Sequence, residues 1–365
     1  MNTLQTSEWF PSFLVPFVTL SYPIATPTHT DSFHTSSYYT TGLLDGCIII
    51  TCIAVMAILR DVTRIYLMEP FAKWKLERDW TRTRAKFSKA NGSSNGRTNG
   101  NGHAAHANGE YLQPSDFPKM ERKIHRSVLR FAEQSWSMIY YTLQWSYGLY
   151  IHLSLPTSLL SPTELWANYP HIPIAGPVKF YYLTQTAFYL HQILILNAEA
   201  RRKDHYQMMT HHVITIFLMV TSYFYNFTRV GCLIMVLMDC CDIFLPLAKM
   251  LRYIGLYTLC DFTFTLFLVS WLVTRHVFFI IVIKSAYSDA HLLIHSGWNP
   301  EQGSYHSPLA MGIFITMLIV LQILQVIWFA MICRVAWRVV SGQGASDDRS
   351  DDEGDLVSQE SKKER

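Results

Sequence analysis

Residues Arg201 to Arg252 read RRKDHYQMMTHHVITIFLMVTSYFYNFTRVGCLIMVLMDCCDIFLPLAKMLR. The run is mostly apolar and long enough for two membrane crossings of about 20 residues each, joined by a short turn around Asn226. It nevertheless holds two adjacent histidines, His211 and His212, and two aspartates, Asp239 and Asp242. Ionisable side chains at membrane depth are costly, so by default they mark a functional site.

Helical spacing sorts these residues by face. Positions three, four or seven apart share one. Asp204 is so placed with His211, His205 with His212, His211 with Thr215, and Asp239 with Asp242. His211 precedes Ser222 by eleven residues and Asp239 follows Arg229 by ten. At about 1.5 Å per residue the two sit at similar depth on antiparallel neighbours. The pattern therefore predicts a His–carboxylate contact between the two helices. A carboxylate fixes the imidazole tautomer and stabilises the imidazolium, leaving the other nitrogen free as general base or as nucleophile toward a thioester. The bland alternative is a buried His–Asp pair that only glues two helices. Adjacent histidines face different directions, so one of them can be structural.

The rest of the chain fits a membrane setting. Of its 365 residues 50% are hydrophobic and only 16% are charged, against roughly 25% charged in soluble domains. Apolar runs lie at about 43–59, 134–155, 178–198, 208–225, 230–250, 259–283 and 309–333. The expected fold class is all-α, a polytopic bundle of about seven spans. Residues 1–42 form an N-terminal segment. Its apolar part, 10–24, is broken by Pro11, Pro16 and Pro23 and is expected to be interfacial or irregular. The first span, 43–59, leads into a basic loop, 60–130, whose Asn/Gly-rich stretch 91–109 reads as a disordered linker. The remaining spans occupy 131–338, and an acidic tail fills 339–365.

Charge sets the orientation. With the first loop in the cytosol, all of the 30 Lys and Arg except Lys179, Arg229, Arg275 and Lys284 fall on cytosolic segments. By the positive-inside rule the N-terminus is then luminal and the C-terminus cytosolic. The ending Lys362-Lys363-Glu364-Arg365 has the dilysine form of an endoplasmic-reticulum retrieval signal, which places the protein in that membrane. The sequon Asn226-Phe227-Thr228 lies in a short turn and is expected to be unmodified.

Several chemistries are disfavoured. No basic patch with interleaved aromatics points to nucleic acid. The seven cysteines contain no CxxC pair, which argues against a disulfide framework or a zinc site. His205 with His211-His212 is only a faint version of the histidine boxes of membrane di-iron enzymes. There is no second HH pair, so no metal is expected. Arg201, Arg202 and Lys203 can hold phosphates of a cytosolic cofactor, or can simply anchor their span. Arg275, inside the sixth span, either pairs with a carboxylate or snorkels.

The residues also resemble a known family. The segment from about Phe131 to Arg338 is similar to a TLC domain, and Arg201 to Tyr253 resembles the longevity-assurance motif of ceramide synthases. The matching pieces are R-x-K-D-H with M-x-x-H-H-x-x-T, then S-Y-x-x-N-x-x-R-x-G, D-x-x-D and L-A-K. Upstream, Glu164-Leu-Trp-Ala-Asn-Tyr-Pro and Lys179-Phe-Tyr-Tyr-Leu-x-Gln are similar too, and downstream Leu321-Gln-x-Leu-Gln-x-x-Trp-Phe. The Asn/Gly linker suggests a fungal-type member. One departure is Met238, where many members have His.

The resemblance implies an enzyme that transfers a fatty acyl group from acyl-CoA to the amine of a sphingoid base, giving ceramide. Its essential groups would map to His211, His212, Asp239 and Asp242, with Arg201, Arg202 and Lys203 at the acyl-CoA phosphates. Acyl-CoA enters as donor, with no permanently bound cofactor. The implied partners are acyl-CoA, the sphingoid base and the membrane, with room for a homodimer or a small regulatory subunit. Acyl-length choice in the family is associated with the loop corresponding to Ser285–Ser307. Two alternatives share the pattern in part: a specialised paralogue for an unusual sphingoid-like substrate or for toxin self-protection, and a non-enzymatic lipid sensor or trafficking factor.

Overall fold

The computed structural model describes residues 11–28, 30, 32–92, 106–107, 110–111, 117–158, 161–198, 204–294 and 297–341. The dilysine end and Arg201, Arg202 and Lys203 lie outside them. A short helix, α1 (Val15–Val18), comes first. The long elements are α2 (Asp45–Val62), α3 (Glu69–Gly92), α4 (Phe117–Ser154), α5 (Gly176–Ala198), α6 (His205–Phe224) and α7 (Thr228–Asp242). They are followed by α8 (Phe244–Tyr253), α9 (Tyr257–Trp271), α10 (Phe279–Leu293) and α11 (Pro308–Val340). Two π-helical segments, Thr63–Met68 and Leu272–Phe278, join α2 to α3 and α9 to α10. Every one of the seven apolar runs is helical, and the fold is an all-α, multi-pass membrane bundle.

Among the described residues, four helical stretches are long and apolar enough to cross a membrane: Asp45–Ala85, Thr228–Tyr253, Tyr257–Leu293 and Pro308–Val340. The other three predicted spans fall on α4, α5 and α6, which carry more polar residues. For α5 the reason is burial. Twelve of its residues are buried, including Lys179, Thr184, Gln185 and His191. A helix wrapped by protein needs no lipid-compatible surface, only partners for its polar groups. The 230–250 run is divided at Ile243. Pro246 lacks an N–H, and its ring would clash with the Asp242 carbonyl in a continuous helix.

The chain forms two compact units, one of residues 1–57, 142–241 and 268–365, the other of 58–141 and 242–267. The first has a core of Leu165, Trp166, Leu233, Phe279, Val282 and Leu321, with their neighbours from α7, α10 and α11. The second packs Ala72, Val128, Phe131 and Met250 together, with an edge-on Trp80–Phe117 contact. Within the Asn/Gly-rich stretch, α3 reaches Gly92 and the two-residue strands β3 (His106–Ala107) and β4 (Glu110–Tyr111) pair. The rest of it is outside the described residues.

The N-terminal segment is more ordered than its prolines suggest. Strands β1 (Pro23–Ile24), β2 (Tyr38–Tyr39) and β5 (Ile174–Ala175) form an antiparallel sheet in the order β1-β2-β5, with Tyr39 opposite both Pro23 and Ile174. The sheet brings the segment to the start of α5, where Lys179 is fully buried. Its Nζ lies 2.8 Å from Asp45 Oδ1 and donates to the carbonyls of Ser21 (2.8 Å) and Thr40 (2.7 Å). The rings of Tyr22 and Tyr39 flank it at 5.5 and 5.4 Å. The other oxygen of Asp45 accepts from Tyr223 Oη (2.7 Å) and from the Gly42 amide (3.0 Å). One ion pair thus ties α2, α5, the end of α6 and the N-terminal segment.

The α6–α7 turn is a Schellman motif. Asn226 sits at φ 62°, Phe227 N–H reaches the Ser222 carbonyl (2.9 Å) and Asn226 N–H the Tyr223 carbonyl (3.4 Å). Asparagine tolerates this left-handed position. Its amide donates to Gly303 O at 2.8 Å and is buried, which leaves no room for a glycan. Gly303 belongs to the turn of a hairpin, β6 (Gly297–Asn299) with β7 (Ser304–His306).

Two stability outcomes follow. Lys179→Met leaves the buried Asp45 without its counter-charge and should cost about 3–5 kcal/mol, most of it recovered in the Asp45→Leu/Lys179→Met double variant. Thermal unfolding of the detergent-purified protein reads both. At Gly231 an added Cβ would fall 1.5 Å from the buried Tyr182 hydroxyl. Gly231→Ala should therefore destabilise by about 1–3 kcal/mol through overpacking, seen as a lowered Tm.

Candidate active site

The site is built from α5, α6, α7 and α11, all within the first unit. Consecutive residues on a helix diverge by about 100°, so His211 and His212 point to different surroundings. The imidazole of His211 lines an apolar cavity, and His212 is buried. Their ring centroids are 5.4 Å apart. Trp328 of α11 stands edge-on to His211 at 5.2 Å.

Asp239 is fully buried on α7. It accepts hydrogen bonds from Gln185 Nε2 and from the Tyr189 hydroxyl (3.4 Å). Gln185 and Tyr189 are four apart on α5 and so share a face. The Tyr189 ring lies 6.5 Å from His211 and 5.7 Å from His212. The direct His–carboxylate contact expected between α6 and α7 is therefore not made. Similar depth brought the groups to one level, but α5 packs against both helices and inserts a phenol between acid and imidazoles. Neither His211 Nδ1 nor His212 Nδ1 has a hydrogen-bond partner.

Asp242, the last residue of α7, belongs to the other compact unit. Arg201, Arg202 and Lys203 are outside the described residues, just before Asp204, the N-cap residue of α6. The structure thus brings His211, His212 and Asp239 together through Tyr189.

Arg275 takes partners that the sequence did not indicate. It lies in the π-helical segment Leu272–Phe278, and such turns often occur at functional sites. Its guanidinium is buried, donates to the Met238 carbonyl (2.7 Å) and to Gln325 Oε1 (2.9 Å), and stacks 4.1 Å over Trp271. Gln325 also approaches the Met238 sulfur at 3.8 Å. A cation near a helix C-terminus complements its dipole. The residue before Asp239 is thereby held by both backbone and side chain.

An apolar cavity with an open side lies beside His211. Its wall follows α6 from His211 through Thr215 and Leu218 to Ser222, a depth of about 16 Å. At the far end the wall is formed by Trp166, Phe227 and Phe314, with Phe227 centred 6.0 Å from Trp166 and 5.4 Å from Phe314. Trp166 Nε1 donates to Ser285 Oγ at 2.8 Å, which pins this wall to α10. An imidazole at one end of a long apolar slot suits a reaction on the polar end of a hydrocarbon chain.

Sequence reasoning gave no role to Gln185, Tyr189, Trp328 or Gln325, although Gln185, Gln325 and Trp328 stand in the stretches similar to the family. The available signal was a glutamine in an apolar run with a tyrosine one turn later. A tyrosine or tryptophan among many gives no such signal until its neighbours are known.

Comparison with known proteins gives the family. The profile of the TLC domain matches residues 130–334. The chain is 39% identical over 256 residues to ceramide synthase FUM18 of Gibberella moniliformis, covering 63% of this chain and 60% of that protein. It is 40% identical over 231 residues to sphingosine N-acyltransferase lag1 of Schizosaccharomyces pombe, covering 62% and 58%. With ceramide synthase hyl-1 of Caenorhabditis elegans it shares 36% over 224 residues, 61% of each chain. The matches thus span about 60% of the length of these curated relatives. With the family profile covering more than half of the sequence over a multi-pass helical bundle, the chain belongs to the TLC-domain family.

Proposed function

We propose that the protein is a ceramide synthase, transferring a fatty acyl group from acyl-CoA to the amine of a sphingoid base. The observation that carries this reading is the position of His211, at the head of an apolar slot and linked through Tyr189 to a fully buried aspartate. The names of the similar proteins support the same reaction.

The chemistry follows from the parts. The acyl chain enters the slot and leaves its thioester carbonyl near His211. The sphingoid ammonium must lose a proton before it attacks. An imidazole of the pair takes that proton, or His211 first accepts the acyl group and then passes it on. Asp239, anchored by Gln185 and Tyr189, supplies negative charge that favours the imidazolium formed in either route. Asp242 is proposed to support the same site. Arg201, Arg202 and Lys203, beside the start of α6, are proposed to hold the CoA phosphates, whose charge suits such a cluster.

In the proposed orientation the N-terminus is luminal and the C-terminus cytosolic, with seven spans, in the endoplasmic-reticulum membrane. The charge asymmetry supports this orientation. In that orientation the His211 end of the slot faces the cytosolic half of the bundle, where acyl-CoA is present, and the Phe227 end faces the luminal half.

Microsomes carrying the protein should N-acylate a sphingoid base from acyl-CoA, and His211→Ala or His212→Ala should lower the rate by about a hundredfold or more. Equal rates in wild type and both variants would refute the assignment. The aromatic far end makes a second outcome specific. Phe314→Ala removes one ring of that wall, so acyl-CoA preference should shift toward longer chains across a length series. An unchanged profile would mean that the slot does not hold the acyl chain.

A further inference from the structure

The slot contains one polar atom that the reaction outlined above leaves unused. Of the side chains lining it, two carry a buried nitrogen or oxygen without a hydrogen-bond partner: His211 Nδ1 and Thr215 Oγ1. The other polar side chains in the wall are engaged. Trp166 bonds Ser285, Tyr189 bonds Asp239, and Ser222 Oγ donates to the Met219 carbonyl at 3.0 Å.

A threonine in an apolar helix ordinarily turns its hydroxyl back to the carbonyl four residues earlier. Thr186, Thr221, Thr263 and Thr274 all do so, at 2.6–2.8 Å. Thr215 does not, and its oxygen is buried. A buried hydroxyl left without a partner is disfavoured unless something else is meant to meet it.

Its position says what. Thr215 is one helical turn from His211 on the same face, at a Cβ spacing of about 5–6 Å. An acyl thioester has one carbonyl oxygen and then only hydrocarbon. The wall offers one imidazole, one free hydroxyl and then only engaged or apolar groups. We propose that Thr215 is a further catalytic residue, whose hydroxyl donates a hydrogen bond to the thioester carbonyl oxygen as the carbonyl carbon is attacked.

The step balances without a further reagent. A nitrogen, of the imidazole or of the amine it deprotonates, forms a bond to the carbonyl carbon. The C=O π pair moves onto oxygen, where the Thr215 O–H stabilises it without giving up its proton. Collapse restores the C=O bond and breaks C–S, the pair leaving on the CoA sulfur. The donor is worth most in a site closed to water, where it needs no reorganisation as charge develops. This inference rests on the acyltransfer reading and holds for either route through the histidines.

The test compares Thr215→Val, which keeps shape and removes the hydroxyl, with Thr215→Ser, which keeps the hydroxyl. Both are made in the full chain and assayed in membranes with an acyl-CoA and a sphingoid base. Thr215→Val should lose about a hundredfold in kcat with KM for acyl-CoA nearly unchanged. Thr215→Ser should retain most of the activity, and both should unfold at the wild-type temperature. Wild-type kcat in Thr215→Val overturns the proposal, as does an equal loss in Thr215→Ser, which would assign the role to the methyl group. A wild-type chain that acylates no sphingoid base sinks the functional reading itself, and this inference with it.

Discussion

The buried ammonium of Lys179 sets the frame for everything beyond it. A charge with no exposed surface persists only when each of its donors has a partner, and here Asp45, Ser21 and Thr40 supply them. That requirement fixes the register of α5. Once Lys179 is placed, Tyr182 faces the α6–α7 turn, reaching Ser222 and the carbonyls of Phe227 and Thr228. One to two turns further on, Gln185 and Tyr189 face Asp239. The central helix behaves as a ruler clamped at one end and read at the other.

This arrangement explains what the sequence revealed and what it hid. The all-helical class, the seven helical runs and the shared neighbourhood of His211, His212 and Asp239 were all legible. They depend on hydropathy, period and rise per residue, which are local properties. The interior role of α5 was hidden, because hydropathy reports contact with lipid and α5 has little of it. The sheet of β1, β2 and β5 was hidden as well. Its strands are two residues long and take their order from partners more than a hundred residues away. The phenol between acid and imidazoles was out of reach for a related reason. Depth along a helix can be computed from the chain, but lateral neighbours cannot.

Arg275 shows the same limit from another side. An intramembrane arginine suggested a carboxylate partner or escape to the interface. The structure shows it bonding a backbone carbonyl and a glutamine while lying on a tryptophan ring, contacts that no pattern in the chain announces. Guanidinium is planar and weakly hydrated, so it accepts such a mixed environment where an ammonium would not. Met238, the neighbour of Asp239, is accordingly held mainly through its backbone carbonyl, an atom that every residue possesses.

The far end of the slot is tied to a surface hairpin. Asn226 holds Gly303, and the Tyr169 hydroxyl joins the Tyr225 carbonyl (2.9 Å) to the Tyr305 amide (3.2 Å). Tyr169 also stacks on Phe227, one of the three rings of that end, at 5.0 Å. The hairpin is thereby in contact with the Phe227 wall, while the imidazoles lie some 16 Å away along α6. The hairpin is thus anchored to the end of the cavity remote from His211 and His212, so a substitution there bears on the Phe227 wall and leaves the contacts of the two imidazoles in place.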